Sequence, residues 1–272
     1  MTNNLTTSRP ARRTVGLAVA ATAAVTGLTA CQGSTSGTGV QDSGPDGGRS
    51  RTAETATHDT RPHKLLWMGD SVGEVQAPAL GAAMKAGGAA FASMAVAGGG
   101  GVIGETAAPT WDELPKRLAA FKPDVVAYQI TTYDWGTADE QRAGYERLAK
   151  TVSDAGAELL LVSAPPFKFD DFYKKHEAAI RTAPQSAREV ADNDPDGVHF
   201  LDASALWGTD ATAAKAQRSK DGIHSCQQGS AAFAAWFGKE LNKRYSFTPA
   251  RPQEWANGSW TGEKVFGQIG CA

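Results

Sequence analysis

A serine that directly follows an apolar run is the first residue in a position suited to chemistry. Residues 65–68 (Leu-Leu-Trp-Met) predict a short buried strand, and the tripeptide Gly-Asp-Ser at 69–71 follows without a break. A serine hydroxyl is a weak nucleophile at neutral pH, so it requires a base within hydrogen-bond reach and a third group that orients the base. The tripeptide alone fits a plain turn at the end of a strand equally well. A catalytic role for Ser71 therefore depends on whether the chain supplies that base.

His224 is the histidine best placed to act as the base. It ends the segment Asp221-Gly-Ile-His224, just before the last predicted helix. An aspartate and a histidine three residues apart, with a glycine between them, can fold back in one turn, so that the carboxylate reaches the imidazole Nδ1–H and Nε2 faces outward. The alternative is a turn aspartate beside an unrelated histidine. The other histidines lie in the polar N-terminal stretch, in a charged helical stretch or within a predicted strand: His58, His63, His176 and His199.

Short apolar runs alternate with helical patterns through the rest of the chain, which predicts an α/β fold with a central, mostly parallel sheet of five strands. Such sheets bind ligands at the carboxyl ends of their strands, and Ser71 follows such an end. The predicted strands are residues 65–68, 90–96, 124–130, 158–162 and 198–201. The predicted helices are residues 77–86, 111–121, 139–155, 170–191 with a break at Pro184, and 230–245, whereas residues 246–272 have no regular pattern.

Three segments, in this order along the chain, resemble the motifs of the SGNH/GDSL hydrolases. They are Gly-Asp-Ser at 69–71 after the first strand, the glycine-rich loop at 97–101 after the second, and Asp-x-x-His at 221–224 before the last helix. The resemblance covers residues 63–272 and implies a flavodoxin-like three-layer α/β/α sandwich. The family contains esterases, lipases, carbohydrate deacetylases and some acyltransferases.

The resemblance also implies a role for each motif residue. Ser71 is expected to be the nucleophile, His224 the general base and then the general acid, and Asp221 the partner that orients the imidazole. The oxyanion of the tetrahedral intermediate is expected to accept hydrogen bonds from the backbone N–H of Ser71 and from one glycine N–H, that of Gly98 or Gly99.

The chain departs from the family's pattern after the third strand. There the family has Gly-x-Asn-Asp, whose asparagine amide is a further oxyanion donor, whereas this chain has Thr-Thr-Tyr-Asp-Trp at 131–135. Tyr133 stands in the place of the asparagine, and a tyrosine hydroxyl can donate a hydrogen bond. Thr131, Thr132 and Gln129 are alternative replacements. Tyr133, Asp134 and Trp135 are expected to line the site whichever donor replaces the amide, and Thr132 is expected to line it as well; the alternative is a turn packed on the core.

The N-terminal residues resemble an export signal with a lipid anchor. Residues 1–30 have a basic start followed by an apolar stretch at 15–28 that is short for a membrane span. Leu-Thr-Ala-Cys at 28–31 resembles the lipobox of bacterial lipoproteins, which implies cleavage before Cys31 and acylation of its thiol. An ordinary signal peptide is the alternative, and an Arg-Arg pair leaves twin-arginine export open. The polar residues 31–62 predict a flexible tether that holds the domain at the outer face of the bacterial cytoplasmic membrane.

The net charge and the motifs that are missing exclude several classes of partner and cofactor. A net charge of −2 provides no basic surface for nucleic acid. The chain lacks His-Glu-x-x-His, Cys-x-x-Cys and phosphate-loop motifs, so we expect neither a metal nor a cofactor. Gly-x-Gly-x-x-Gly at 99–104 is a weak dinucleotide signal, because Pro109 interrupts the helix that should begin there. In an exported domain Cys226 and Cys271 are a disulfide candidate, with two free thiols as the alternative. We also expect the protein to be a monomer.

These patterns predict a serine esterase that hydrolyses O-acyl esters of the cell envelope, on an acylated small molecule or on an envelope glycan. One alternative is a non-catalytic, lipid-anchored domain that binds a glycan in the same cleft, which the missing asparagine favours. Such a domain has little physical need of an aspartate–histidine pair beside Ser71. The other alternative is an O-acyltransferase, in which a sugar hydroxyl replaces water as the acceptor.

Overall fold

The computed structural model describes residues 64–271. The predicted signal peptide, the tether and the acylation of Cys31 lie outside the described residues. Within this part of the chain, none of the helices combines the length and the apolar character that a membrane span requires.

The central sheet has five parallel strands, as the sequence predicts. They are β1 (Lys64–Met68), β2 (Ala90–Ser93), β3 (Val125–Gln129), β4 (Glu158–Val162) and β5 (Val198–Leu201). The strands pair in the order β2-β1-β3-β4-β5. In this flavodoxin-like order the chain winds from β1 to one edge and later from β3 to the other. The carboxyl ends of β1 and β3 therefore border the crevice where such sheets bind ligands.

Helices cover both faces of the sheet and complete the predicted three layers. Because successive side chains of a strand point to opposite faces, β1 divides its residues between two cores. Leu65 and Trp67 pack on one face and Leu66 and Met68 on the other. The helices are α1 (Ser71–Ala86), α2 (Ala108–Phe121), α3 (Ala138–Asp154), α4 (Asp171–Lys174), α5 (Glu177–Asn193), α6 (Ser204–Trp207), α7 (Gln227–Arg244) and α8 (Lys264–Gln268). The first core includes side chains of α1 and α7, and the second includes side chains of α2, α3 and α5.

The predicted starts and ends next to the site are partly wrong. α1 begins at Ser71 rather than at residue 77, because the carboxylate of Asp70 accepts a hydrogen bond from the Val72 N–H at 2.9 Å and caps the first turn. β2 ends at Ser93 rather than at residue 96, since its partner β1 itself ends at Met68. The nucleophile candidate is therefore the first helical residue rather than part of a long loop.

The predicted helix at 170–191 is two helices, and the break is not where the sequence indicates. The chain leaves helical structure between α4 and α5, at residues 175–176, whereas Pro184 lies inside α5. A proline removes one backbone hydrogen bond from a helix, but the buried face of α5 continues on both sides of it, from Ala183 to Val190. Packing against the sheet therefore outweighs the local cost of the proline.

The C-terminal residues are more ordered than their sequence indicates. They contain short turns of helix and α8, and they bury Trp255, Trp260 and Phe266 in the core shared with α1 and α7. The predicted disulfide is confirmed: Cys226, at the start of α7, is bonded to Cys271 with a Cα–Cα distance of 5.5 Å. The cross-link joins this tail to the segment that carries His224.

Candidate active site

The turn between β1 and α1 presents Ser71 at the carboxyl edge of the sheet. As the first residue of α1, Ser71 has a backbone N–H with no partner inside the helix, and a helix N-terminus favours negative charge. Asp70 fixes this turn through hydrogen bonds to the loop after β3. Its Oδ2 accepts hydrogen bonds from both the N–H and the hydroxyl of Thr132, each at 2.7 Å. The loop after β3 is therefore tied directly to the nucleophile turn.

The structure brings Ser71, His224 and Asp221 into one hydrogen-bonded row. His224 Nε2 lies 2.8 Å from Ser71 Oγ, and His224 Nδ1 lies 2.7 Å from Asp221 Oδ2. Next to an ionised carboxylate Nδ1 carries the proton, which leaves Nε2 free to accept the serine proton. The ring is largely covered, with 15% of the side chain exposed. This is the arrangement that a serine nucleophile requires.

The carboxylate of Asp221 is held in its ionised form. Burial by itself raises the pKa of Asp221, but hydrogen bonds from Ser219 and His224 and from two backbone N–H groups outweigh it and lower the pKa to about 2. Ser219 Oγ donates at 2.6 Å, and the backbone N–H groups of Ile223 and His224 donate at 2.7 and 3.0 Å. The charged form is therefore available at neutral pH to orient the imidazole.

Arg218, a cation that belongs to none of the sequence motifs, supports the turn from Asp221 to His224, which we call the histidine hairpin. Arg218 donates from Nη1 to the Ile223 carbonyl at 2.8 Å, and its guanidinium lies 4.6 Å from the ring centre of Trp207. Burial lowers the pKa of Arg218 to about 10, and the nearby charge of Asp221 raises it in part. Arg218 therefore remains charged at neutral pH and fixes the backbone between the two residues of the pair.

The glycine-rich loop after β2 packs against the nucleophile turn. Its closest approach is at Gly100, which has φ of 79° and where an added Cβ would lie 1.9 Å from the Gly69 carbonyl oxygen. Only glycine fits there. Gly98 and Gly99, the predicted oxyanion donors, lie in the same loop with open space or one distant side chain around their Cβ positions. Gly100 joins them as a candidate donor.

Asp134 does not line the cleft as expected, because it is fully buried. Its carboxylate accepts hydrogen bonds from the hydroxyls of Tyr128 and Tyr145 at 2.7 and 3.1 Å and from the backbone N–H groups of Thr131 and Val102 at 3.2 and 3.3 Å. Burial raises the pKa of Asp134 to about 6, against the lowering effect of its hydrogen bonds. Asp134 thus links the loop after β3 to the loop that contains Val102 through hydrogen bonds to both backbones.

Two alternatives for the missing asparagine are turned away from the cleft. Gln129 is fully buried, and its amide donates to Gln76 Oε1 at 2.9 Å. Thr131 is also buried, and its hydroxyl oxygen accepts from the Tyr133 N–H at 3.3 Å. Both side chains are therefore closed off from the surface and hydrogen-bonded within the protein, so neither is our candidate for the donor.

Tyrosine hydroxyls occupy the region beside the loop after β3. Thr132 is buried and directs its hydroxyl at Asp70, whereas Tyr133 is partly exposed. The Tyr133 ring lies 6.4 Å from the ring of Tyr173 in α4, and the Tyr173 hydroxyl lies 3.4 Å from Thr132 Oγ1. Burial raises the pKa of Tyr173, so its hydroxyl stays protonated and can donate. No motif in the sequence indicates Tyr173, because only the fold brings α4 to the site.

Comparison with solved structures connects this geometry to known hydrolases. A candidate acylhydrolase from Bacteroides fragilis matches with a TM-score of 0.52 and 15% identity over 71% of this chain and 95% of its own. A GDSL-like lipase from Bacteroides thetaiotaomicron matches with a TM-score of 0.52 and 16% identity, over 66% and 88%. The chain has the SGNH/GDSL hydrolase fold. A serine-to-alanine mutant of an acetyl esterase, solved with an acetate ion, also matches, with a TM-score of 0.51 and 15% identity over 66% and 96%.

The SGNH/GDSL fold is thus recognised through three-dimensional structure. No protein-family model matches the sequence, and no curated protein matches it either. Among residues 64–271, no group of three or more His, Cys, Asp or Glu side chains is placed to hold a metal ion. The groups that this SGNH/GDSL fold gathers at its carboxyl edge are those of acyl transfer to a serine: a hydroxyl, an oriented imidazole and backbone N–H donors.

Proposed function

We propose that the protein is a serine ester hydrolase in which Ser71, His224 and Asp221 are the catalytic residues. The observation that carries this proposal is the double contact of His224, 2.8 Å from Ser71 Oγ and 2.7 Å from Asp221 Oδ2. A hydroxyl with a base in hydrogen-bond reach, itself oriented by a carboxylate, is an activated nucleophile. The shared fold with a GDSL-like lipase and an acetyl esterase supports the same reaction class.

The reaction proceeds through an acyl-serine. Ser71 Oγ attacks the ester carbonyl carbon while its proton passes to His224 Nε2, and the electron pair of the carbonyl bond moves to the oxygen. The resulting oxyanion accepts hydrogen bonds from the Ser71 N–H and from the glycine-rich loop, with Gly100 closest to the turn. His224 then protonates the departing alkoxide. In the second half, His224 deprotonates a water whose oxygen attacks the acyl carbon. The bond between that carbon and Ser71 Oγ then breaks, His224 returns the proton to Oγ, and the carboxylic acid leaves.

The hydroxyl of Tyr133 or Tyr173 is our candidate for the donor that replaces asparagine. Tyr133 is the more exposed of the two, and Tyr173 lies in the polar cluster of Thr132 and Asp70. Replacing the donor by Phe should lower kcat by about 10²–10³. Tyr133→Phe and Tyr173→Phe are therefore compared in kcat with p-nitrophenyl acetate. If neither variant loses more than a few-fold, the oxyanion has no tyrosine donor.

The substrate that we propose is an O-acyl ester of the cell envelope, carried by a small molecule or a glycan. Support comes from the sequence: the lipobox-like segment before Cys31 and the polar tether at 31–62 suit a protein anchored at the outer face of the cytoplasmic membrane. Export and acylation are tested together by the mass of the mature protein. The expected product begins at an acylated Cys31, and Cys31→Ala removes the lipid mass.

A fluorophosphonate probe tests the esterase directly. We expect it to label the protein and to abolish turnover of p-nitrophenyl acetate, because the activated Ser71 hydroxyl attacks the phosphorus. Ser71→Ala should lose both labelling and turnover. Ser153→Ala, at an exposed serine of α3, is the matched control and should keep both. A wild-type protein that is neither labelled nor active, yet binds an envelope glycan, is instead a binding domain that retains the fold.

The acceptor distinguishes hydrolysis from acyl transfer. With a sugar present, a hydrolase releases free acid in an amount equal to the alcohol. A transferase yields an acylated sugar in place of part of the acid. Mass spectrometry of the products, with p-nitrophenyl acetate as donor, separates the two outcomes.

A further inference from the structure

A cavity of about 540 Å³ lies beside the glycine-rich loop. One wall is formed by residues 93–100, at the end of β2 and in the loop that follows. The other wall is formed by one side of α2, where Pro109, Thr110, Glu113 and Arg117 face the cavity. Its volume is within the range of sites for small molecules. We refer to it as the loop cavity.

The loop cavity adjoins the nucleophile turn. The Val96 N–H donates to the Gly69 carbonyl at 3.1 Å, and Gly100 packs on the same carbonyl. Both Val96 and Gly100 also line the cavity. The glycine-rich loop, which supplies an oxyanion N–H in the proposed mechanism, is therefore also a wall of the loop cavity. An ester whose carbonyl is held at Ser71 lies next to the cavity.

The position of the histidine decides which half of an ester faces the cavity. The Lys168 N–H, in the loop after β4, donates to the Gly222 carbonyl at 2.9 Å, so the hairpin of His224 is attached on the β4 side. In the sheet order, β4 lies on the opposite side of β1 from β2. The alkoxy oxygen must face His224 to receive its proton. The alcohol part of the ester therefore lies on the β3–β4 side, and the acyl part lies on the β2 side.

The chemistry of the walls suits an uncharged group. The two charged side chains of the cavity, Glu113 and Arg117, have opposite signs and lie 2.8 Å apart, so the cavity has no excess of either charge. Val96 is 48% exposed at the cavity. Besides the hydroxyls of Ser93 and Thr110, the remaining side chains of the wall are apolar: Met94, Ala95, Val96, Ala97 and Pro109.

Resting on the proposed function, we infer that the loop cavity binds the acyl group and that this group is an aliphatic chain longer than acetyl. An acetyl group reaches little beyond the carbonyl carbon, whereas each further methylene enters the cavity and leaves water. The exposed aromatic side chain of Phe172, whose ring lies 6.3 Å from that of Tyr133, faces the alcohol side instead.

The test varies the acyl chain while the alcohol stays the same. We expect kcat/KM for p-nitrophenyl octanoate, below its solubility limit, to exceed that for p-nitrophenyl acetate by at least tenfold, with butyrate between them. Val96→Trp fills the cavity mouth and should lower the octanoate-to-acetate ratio by tenfold or more. Val96 and Phe172 are equally exposed, at 48% each, so Phe172→Ala is the matched control. It should leave the ratio within twofold, because both substrates carry the same alcohol.

Three results overturn the inference. A wild-type ratio near one shows that the cavity does not take the chain. A ratio that is unchanged in Val96→Trp but falls in Phe172→Ala places the acyl group on the opposite side of Ser71. In both cases turnover of the acetate leaves the proposed function standing. A wild-type protein that turns over no ester and is not labelled by the fluorophosphonate removes the proposed function, and the inference with it.

Discussion

Three aspartates near Ser71 have different protonation behaviour because they differ in burial and in the number of donors. Hydrogen bonds lower the pKa of the partly exposed Asp221 to about 2, in spite of its partial burial. Burial raises the pKa of Asp134 to about 6, and burial also raises the pKa of Asp70 above its ordinary value. Only Asp221 faces the imidazole. The residue that must stay charged is thus the one with the most favourable set of donors.

The orienting role of Asp221 can be tested without changing the size of the side chain. Asp221→Asn should lower kcat for p-nitrophenyl acetate by about 10³–10⁴, because an amide does not stabilise the imidazolium that forms during the reaction. KM should change little. Asp112→Asn, at an exposed position of α2, is the control and should keep wild-type kinetics. A loss in kcat of less than tenfold would contradict the orienting role.

The same carboxylate makes the stability of the fold depend on pH in the acid range. Its pKa is lowered on folding, so this contribution is fully present above the ordinary value of 3.8 and is lost as the pH falls toward 2.

Asp134 gives the opposite dependence of stability on pH. Its pKa is about 6 in the folded protein against an ordinary value of 3.8, so the folded state binds this proton more tightly. The stabilisation is complete below the ordinary value and is lost as the pH rises through 6, by about 3 kcal/mol in the free energy of unfolding. Urea unfolding of the wild type and of Asp134→Asn from pH 4 to 7 checks this. We expect the advantage of the wild type to shrink with pH; a constant difference contradicts the raised pKa.

At the scale of whole elements, the site is assembled from loops that follow neighbouring strands and contact one another. The loop after β3 reaches Asp70 through Thr132, and the loop after β4 reaches the histidine hairpin at Gly222. The loop after β2 packs on Gly69 through Gly100. Because each loop contacts either the turn before Ser71 or the hairpin of His224, a displacement of one loop changes the position of Ser71 or His224.

Gly100→Ala should show this coupling between loops. The positive φ alone costs about 1–3 kcal/mol for a residue with a side chain, and the new Cβ collides with the backbone of the nucleophile turn. We expect a lower free energy of unfolding together with a loss of kcat. Gly99→Ala is the control: its φ is not positive and its Cβ meets only Val96, at 3.6 Å, so its stability should stay near that of the wild type. Equal stability of the two variants contradicts the close approach at Gly100.

The strands were predictable from sequence to a greater extent than the site was. β3 and β4 are short apolar runs, and nearly all of their residues are buried, so their composition alone locates them. The start of α1 was not predictable from periodicity, because it depends on a cap by Asp70. The Ser71, Asp221 and His224 positions follow from local motifs. Arg218 and Tyr173 carry no such motif: Arg218 acts on the Ile223 carbonyl within its own turn, and Tyr173 acts through a contact with Thr132 that only the fold creates.

On the scale of the whole molecule, the C-terminal tail closes the face formed by α1 and α7. The indole N–H of Trp260 donates to the Trp255 carbonyl at 2.7 Å, and the Trp260 ring lies 5.9 Å from that of Phe266. The disulfide of Cys226 and Cys271 attaches this layer two residues after His224. The tail therefore contributes to the same core that positions α1, the helix that begins at Ser71.

Removing the disulfide should destabilise the protein without changing its fold. The bond closes a loop of 45 residues, and the chain-entropy model gives about 4 kcal/mol for a loop of this length. We expect the double variant Cys226→Ala and Cys271→Ala to lose a few kcal/mol in urea unfolding, and the wild type to lose a similar amount in reductant. The double variant should be insensitive to reductant. Alkylation of the denatured, unreduced wild type at both residues would contradict the cross-link.

The ring closed by Cys226 and Cys271 also determines how the protein responds to a protease. A single cut anywhere between these residues, for example in the exposed stretch of residues 251–254, opens the chain but leaves its two pieces covalently joined. Trp255 and Phe266, which are buried in the core, then stay attached to the rest of the protein through the disulfide at Cys271. Nicked molecules should therefore migrate as one species on a denaturing gel and separate into two only after a thiol is added.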